Sequence, residues 1–366
     1  MKFNSLKYKT MNRKILLFIA SLFVFVGLHA QSSETTEPTA RSMKEYDISA
    51  FCSYSTWHPS QYILDNSWDI LRYFRTPATL HTLKSAGIEA HNSQIRLLRV
   101  GGLLDCRIVN DSALYHTVMP IFSKEQTDEI RLVSKAMADS VFEANKKDFN
   151  SLIKLFKKKG WENQTYSLVF SALLDKYIWD DTRIVKPKDM TDHGTWSGVY
   201  WAMYSKRPDM KCGTNSYGPV NCNWSDSLGY WLNDNKLIRV ANDIKASQKP
   251  VITDSALAEN LSQWGICNAD GSIIVPVIYR GSGDEVDNLC NKISDNLCAA
   301  VKAKADWFMR TFDIANKDEA EVILYHEMMY DLLALLESRG IVKKPAILLG
   351  EETGTIHFGD IVFIML

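Results

Sequence analysis

The sequence lacks the short motifs by which many enzymes can be read. It has no HExxH pair, no GxSxG elbow, no P-loop and no GxGxxG between a strand and a helix. Zincin, α/β-hydrolase, nucleoside-triphosphate and dinucleotide chemistry therefore have no local signature. His326-Glu327 is followed by Met328-Met329-Tyr330, without a second histidine at the right offset. His326 is accordingly read as a core histidine on an apolar helix. No CxxC occurs among the seven cysteines, which leaves a zinc ribbon or thioredoxin-type site without support. No metal and no cofactor is expected. Long apolar runs are scarce too. The one that stands out, Ile15 to Leu28, has 14 residues, against roughly 20 for a bilayer span.

That run sits in a recognisable setting. Lys2, Lys7, Lys9, Arg13 and Lys14 precede it with no acidic residue, and His29-Ala30 follows it before Gln31. A basic head, an apolar core and a small residue at the boundary have the form of a secretory signal peptide. Residues 1–30 are expected to be removed on export, with 31–44 as a flexible polar leader. The first cysteine is Cys52, which argues against a bacterial lipoprotein. The mature protein is expected in the periplasm or outside the cell, with no stable membrane insertion. Taking five basic residues from 42 leaves 37 against 43 acidic ones, a net charge of −6. Such a balance is poor for neutralising a phosphate backbone, so no nucleic-acid partner is expected.

An internal repeat organises the rest. Shifted by about 156 positions, Met119-Pro120-Ile121 meets Val275-Pro276-Val277, and the register holds without a gap to Phe156 and Phe312. The apolar series Ile130, Val133, Met137, Val141 recurs as Val286, Leu289, Ile293, Leu297. This is one helical stripe written twice. Ser123 with Gln126 has the capping-box pattern ahead of the first stripe. Before each stripe comes a helix, a glycine stop and a hairpin. The first hairpin turns at Val109-Asn110-Asp111-Ser112 and the second at Asn268-Ala269-Asp270-Gly271. After each stripe come a buried helix and a further expected hairpin. One pairs 183–185 with 195–204, and the other pairs 341–348 with 355–364.

Helices followed by a glycine and a two-stranded hairpin resemble winged-helix units. The likeness is one of pattern, so it assigns no functional residue. The expected fold is α+β: two similar lobes, each of helices plus β-hairpins, resembling paired winged helices. The lobes span 45–204 and 227–366, and the irregular stretch 205–226 serves as linker. A DNA-reading role is disfavoured because Asp318 to Ser338 carries Glu319, Glu321, Glu327, Asp331 and Glu337 and no Lys or Arg.

Candidate site residues gather around that linker. Cys212 and Cys222 bracket a Gly/Asn/Pro-rich loop and are expected to form a disulfide. The catalytic candidates are Cys212 as nucleophile and His193 as its base, in a secreted hydrolase with its site at 193–231. The ligand-binding candidates are Trp196, Trp201, Tyr217, Trp224 and Trp231, whose flat rings suit sugars or extended peptides. The competing reading packs these rings inside the fold. The leading expectation is an exported, non-catalytic platform that binds a protein or a cell-surface polysaccharide.

Overall fold

The computed structural model of the chain describes residues 41–55, 57–185, 189–207, 212–225, 228, 234–350 and 357–366. The first half runs β1 (Tyr46–Ser55), α1 (Ser67–Tyr73), α2 (Leu80–Ser85), α3 (Asn92–Val100), β2 (Leu104–Val109), β3 (Ser112–Thr117), β4 (Ile121–Phe122) and α4 (Lys124–Lys158). It continues with α5 (Thr165–Ser167), a π-helix (Leu168–Lys176), α6 (Tyr177–Trp179) and β5 (Trp196–Tyr204). The second half runs β6 (Cys212–Tyr217), β7 (Val220–Ser225), α7 (Asp234–Ser247), α8 (Ser255–Ser262), β8 (Val277–Ile278), α9 (Glu285–Thr311), α10 (Lys317–Ser338), α11 (Ala346–Leu349) and β9 (Val362–Met365). With 52% helix and 18% strand, the fold is mixed α+β.

The two larger sheets share one layout. β5 lies between antiparallel β1 and parallel β4; β9 lies between antiparallel β7 and parallel β8. The carbonyl of Pro120 accepts from Ala202 N at 2.9 Å, and that of Pro276 accepts from Ile364 N at 2.8 Å. Ahead of these strands, Gly102 and Gly265 both stand at positive φ, +66° and +69°. Beside them Leu103 N donates to Leu98 O, and Ile266 N to Leu261 O.

The long helices form where the sequence places them. Ser123 Oγ accepts from Gln126 N, while Gln126 Oε1 accepts from Ser123 N at 2.9 Å, which closes the capping box of α4. Asp284 caps α9 through Asp287 N at 2.9 Å. Ile130, Met137 and Val141 are buried on α4, and Val286, Ile293 and Leu297 on α9, while Val133 and Leu289 are half-buried. The β2–β3 hairpin turns through Asn110 and Asp111, both at positive φ, as a two-residue turn requires.

The two later hairpins are not made. Residues 183–185 and 341–345 form no strand, and the described part of β9 pairs with β7 and β8. β5 is buried along nearly its whole length, the mark of a central strand and not of an edge hairpin. Ile184, Val185 and Val342 are buried as core contacts instead. Residues 212–225, within the expected linker, are sheet: β6 and β7 turn at Gly218-Pro219, with Gly218 at φ +67°. Residues 208–211 lie outside the described residues, as do 226–227.

All seven cysteines are free. The bridge expected between Cys212 and Cys222 is absent, and register explains why. Cys212 faces Ser225 and Cys222 faces Asn215, three residues out of step. Three strand residues span roughly 10 Å, while a disulfide needs Cα atoms about 4.4–6.8 Å apart.

Ser42–Leu366 form one unit. Its main core takes residues from both halves, including Ile130, Phe142, Leu173, Val286, Ile293 and Leu332. The halves interlock: α10 packs on α4, and α9 packs on α6 and the π-helix. Tyr325 Oη donates to Leu174 O at 2.6 Å, sealing α10 to the π-helix. α10 is buried on most of its sides, which makes it a core helix. Its acids Glu319, Glu321, Glu327 and Asp331 are buried, so they do not form a solvent-facing repulsive surface. Arg207 pairs with Glu327 at 2.5 Å and with Asp331 at 2.6 Å, and Asp47 accepts from Arg131 at 2.8 Å. Among the described residues no helix is long and apolar enough to cross a membrane.

Candidate functional site

The expected site residues separate into different environments. His193 lies against Gly102, where a Cβ would sit 2.5 Å from the histidine Cβ, and its ring stacks on Trp196 at 3.8 Å. Burial lowers its pKa, offset in part by the Gly198 carbonyl 3.4 Å from Nε2. Cys212 begins β6, with its Sγ 3.7 Å from the Tyr166 hydroxyl. Burial pushes that thiol up, away from the thiolate a nucleophile needs. The partners of the two residues are thus different.

The rings divide in the same way. Trp196 is buried and its Nε1 donates to Gly101 O at 2.8 Å; Trp201 is fully buried beside His326. Neither has a free face to offer a ligand, because β5 is a central strand. Trp224 is half-buried and lies over Gly213, where a Cβ would come within 2.5 Å of the indole. Tyr217 is half-buried at the end of β6, and its hydroxyl accepts from Asn215 at 3.3 Å. Trp231 lies outside the described residues.

An open cleft of about 390 Å³ lies elsewhere, lined by Tyr177, Asp181, Arg280, Gly281, Asp287, Asn291 and Leu366. Four elements converge on it: the end of the π-helix through α6, the loop after β8, the first turns of α9, and the end of β9. The loop after β8 is Arg280-Gly281-Ser282-Gly283, with both glycines at positive φ, +69° and +70°. This turns the Gly281 and Gly283 amides onto the two oxygens of Asp287, each at 3.1 Å. Tyr177 Oη donates to the same carboxylate at 2.8 Å. Burial works against the charge on Asp287, but the tyrosine hydroxyl and the two amides outweigh it and hold the carboxyl below its usual range. The loop's anion site is filled by the protein's own aspartate.

Arg280 crosses the Tyr177 ring at 5.0 Å and reaches Asp180 at 3.1 Å and Asp181. Arg183 donates through Nε to Tyr177 O at 2.6 Å and through Nη2 to Asp181 at 3.0 Å, and it also pairs with Asp295 and Asn291. The cations are fixed by acids. The lining thus combines carboxylates, an amide, a guanidinium and a tyrosine ring, and these groups are largely paired with one another.

A second polar group lies at the other end of the π-helix. Ser171 Oγ accepts from Thr214 Oγ1 at 2.6 Å and from Asn223 Nδ2, and Asn223 Oδ1 is buried without a partner. Asp175, one turn further along, has its carboxyl pushed up to about 6 by burial, against the pull of Lys176 and a hydrogen bond to Thr214. π-helical turns recur where a side chain must be re-aimed toward a site. Here one such segment presents Ser171 and Asp175 to β6 and β7 and leads into Tyr177 at the cleft.

Sequence reasoning missed the cleft because its lining is more than 100 residues apart along the chain. The local signal was Arg280-Gly281-Ser282-Gly283-Asp284 between a strand and a capped helix, where paired glycines mark a turned backbone. Among the described residues no group of three or more His, Cys, Asp or Glu is arranged to hold a metal ion. In comparisons with known proteins, no family model, no curated protein and no solved structure matches the chain.

Proposed function

We propose that the chain is an exported, non-catalytic binding protein built by internal duplication, with the Tyr177–Arg280–Asn291 cleft as its contact for a hydroxyl-rich cell-surface polymer. The cleft carries this reading. Its volume, about 390 Å³, falls within the range of ligand sites. Its mixed lining of carboxylates, an amide, a guanidinium and a tyrosine ring matches a ligand that both donates and accepts hydrogen bonds. The hydrolase reading around 193–231 loses its support with Cys212, whose thiol is raised and whose neighbour is Tyr166. Export is supported by the basic head, apolar run and Ala30 of the first 30 residues.

Duplication draws support from the shared layout of the two sheets, the matched Pro120 and Pro276 carbonyl bonds, and the matched glycines Gly102 and Gly265. The winged-helix likeness narrows to α3 with β2–β3 in the first half. In the second it narrows to α8 with the bridge between Cys267 and Ile273.

Calorimetric titration of the mature protein with neutral and amino-sugar polymers tests the binding role. The reading predicts saturable binding that weakens about tenfold, roughly 1.4 kcal/mol, in Asn291→Ala. Absence of binding to every polymer, or binding that Asn291→Ala leaves unchanged, contradicts it.

A further inference from the structure

We propose that two copies of the chain associate through the outer edge of β2, antiparallel, with Cys106 on the twofold axis. β2 pairs with β3 alone in its sheet, and its other edge carries no strand among the described residues. The ladder fixes which backbone groups face that edge. Tyr115 exchanges both of its hydrogen bonds with Ala78, at 2.8 and 3.0 Å, and Thr117 N donates to Phe74 O at 2.8 Å. Both therefore turn their amides away from β2. Their partners across the ladder are Cys106 and Leu104, which must turn theirs away from β3, toward the open edge. The Cys106 N–H confirms the direction. It leaves the ladder and is taken by the carboxylate of Asp105 at 2.7 Å, a local substitute for a strand partner. By the same alternation Ile108 faces outward.

A twofold about Cys106 then sets Leu104 against Ile108 of the second copy and Asp105 against its Arg107. The sequence Leu104-Asp105-Cys106-Arg107-Ile108 is self-complementary about its centre: apolar, acid, centre, base, apolar. Charged residues on an edge usually discourage pairing. Here their signs are reversed about the centre, so antiparallel self-pairing in this register joins unlike charges, and parallel pairing joins like charges. The opposed Asp105 and Arg107 fall at non-hydrogen-bonded positions of the new ladder, where side chains stand closest. Both are open to a partner, with side chains 46% and 81% exposed. Ile108 is 71% exposed, at the same end of the hairpin. This pattern is why the occupant is a second copy and not an unrelated strand. On pairing, Cys106 N–H exchanges the Asp105 carboxylate for the partner's carbonyl, and Asp105 gains a second guanidinium beside its own Arg107, 3.1 Å away. Five paired residues per copy make a small contact, so the dimer is expected to be weak and concentration-dependent.

Sedimentation equilibrium of the mature full-length protein, with reductant present, tests this from about 10 μM to about 1 mM. A reversible monomer–dimer equilibrium is expected. Arg107→Asp should weaken it about tenfold by setting acids against acids, and Asp105→Arg combined with Arg107→Asp should restore it, because the swapped pair is again complementary. Unchanged circular dichroism and melting temperature in each variant establish that the exposed substitutions leave the fold intact. A monomer at every concentration overturns the proposal, and so does a dimer that ignores Arg107→Asp or fails to return in the double variant.

Discussion

At the scale of single residues, the informative positions are buried polar groups and close-packed glycines. Asp175 is one. Its carboxyl lies near 6 in the folded chain against an ordinary 3.8, chiefly because burial penalises the charge. A raised acid means that the folded state holds the proton more tightly than the unfolded one. Its contribution to stability is therefore greatest below about pH 4 and declines as pH rises through 6. The full shift corresponds to at most about 3 kcal/mol, and contact with solvent reduces this to on the order of 1–2 kcal/mol. Asp175→Asn should remove that decline. Urea unfolding at pH 4 and pH 7 should show the variant gaining on the parent protein at pH 7. An equal difference at both pH values would mean that Asp175 titrates normally. His326 was legible as a core histidine, and burial does push it down to about 4. The role of Asp287 was not legible, because its partners Tyr177 and Gly281 come from another helix and a neighbouring loop.

At the scale of elements, local pattern was readable and pairing was not. The capping box at Ser123, the turn at Asn110-Asp111 and the two apolar stripes are local features, set by residues three or four positions apart. β5 shows the limit. Its buried run was visible as a strand, but its partner β1 lies some 150 residues away, Tyr46 opposite Tyr204, and no local signal names a partner at that distance. The irregular stretch before α7 misled for a related reason. Gly218-Pro219 and the asparagines of β6 and β7 have turn chemistry, yet Asn221 and Asn223 are buried in the sheet. The β1–β5 ladder makes its closest backbone approach at a glycine. Gly198 has φ +141°, and a Cβ there would lie 1.9 Å from Phe51 O, beside the register shift at Cys52 and Tyr54. Gly198→Ala sets a methyl against backbone that cannot yield without moving β1. A loss of more than about 2 kcal/mol in chemical unfolding is expected. A cost below about 0.5 kcal/mol would show that the two strands part easily.

At the scale of the molecule, the interlocking of the first and second halves of the chain was not legible in the sequence. Two lobes with a linker between them predict two cores. The chain instead places α10 of the second half on α4 of the first, and α9 against α6 and the π-helix, so the main core carries residues from both halves, beside a smaller core drawn from residues 46–121 and 196–202. Neither half can lose its fold without exposing the apolar faces of the other. Differential scanning calorimetry of the protein tests this most directly, through the ratio of calorimetric to van't Hoff enthalpy. A shared core predicts a single transition with a ratio near 1. Two resolved transitions, or a ratio near 2, would contradict it and return the protein to two independent lobes.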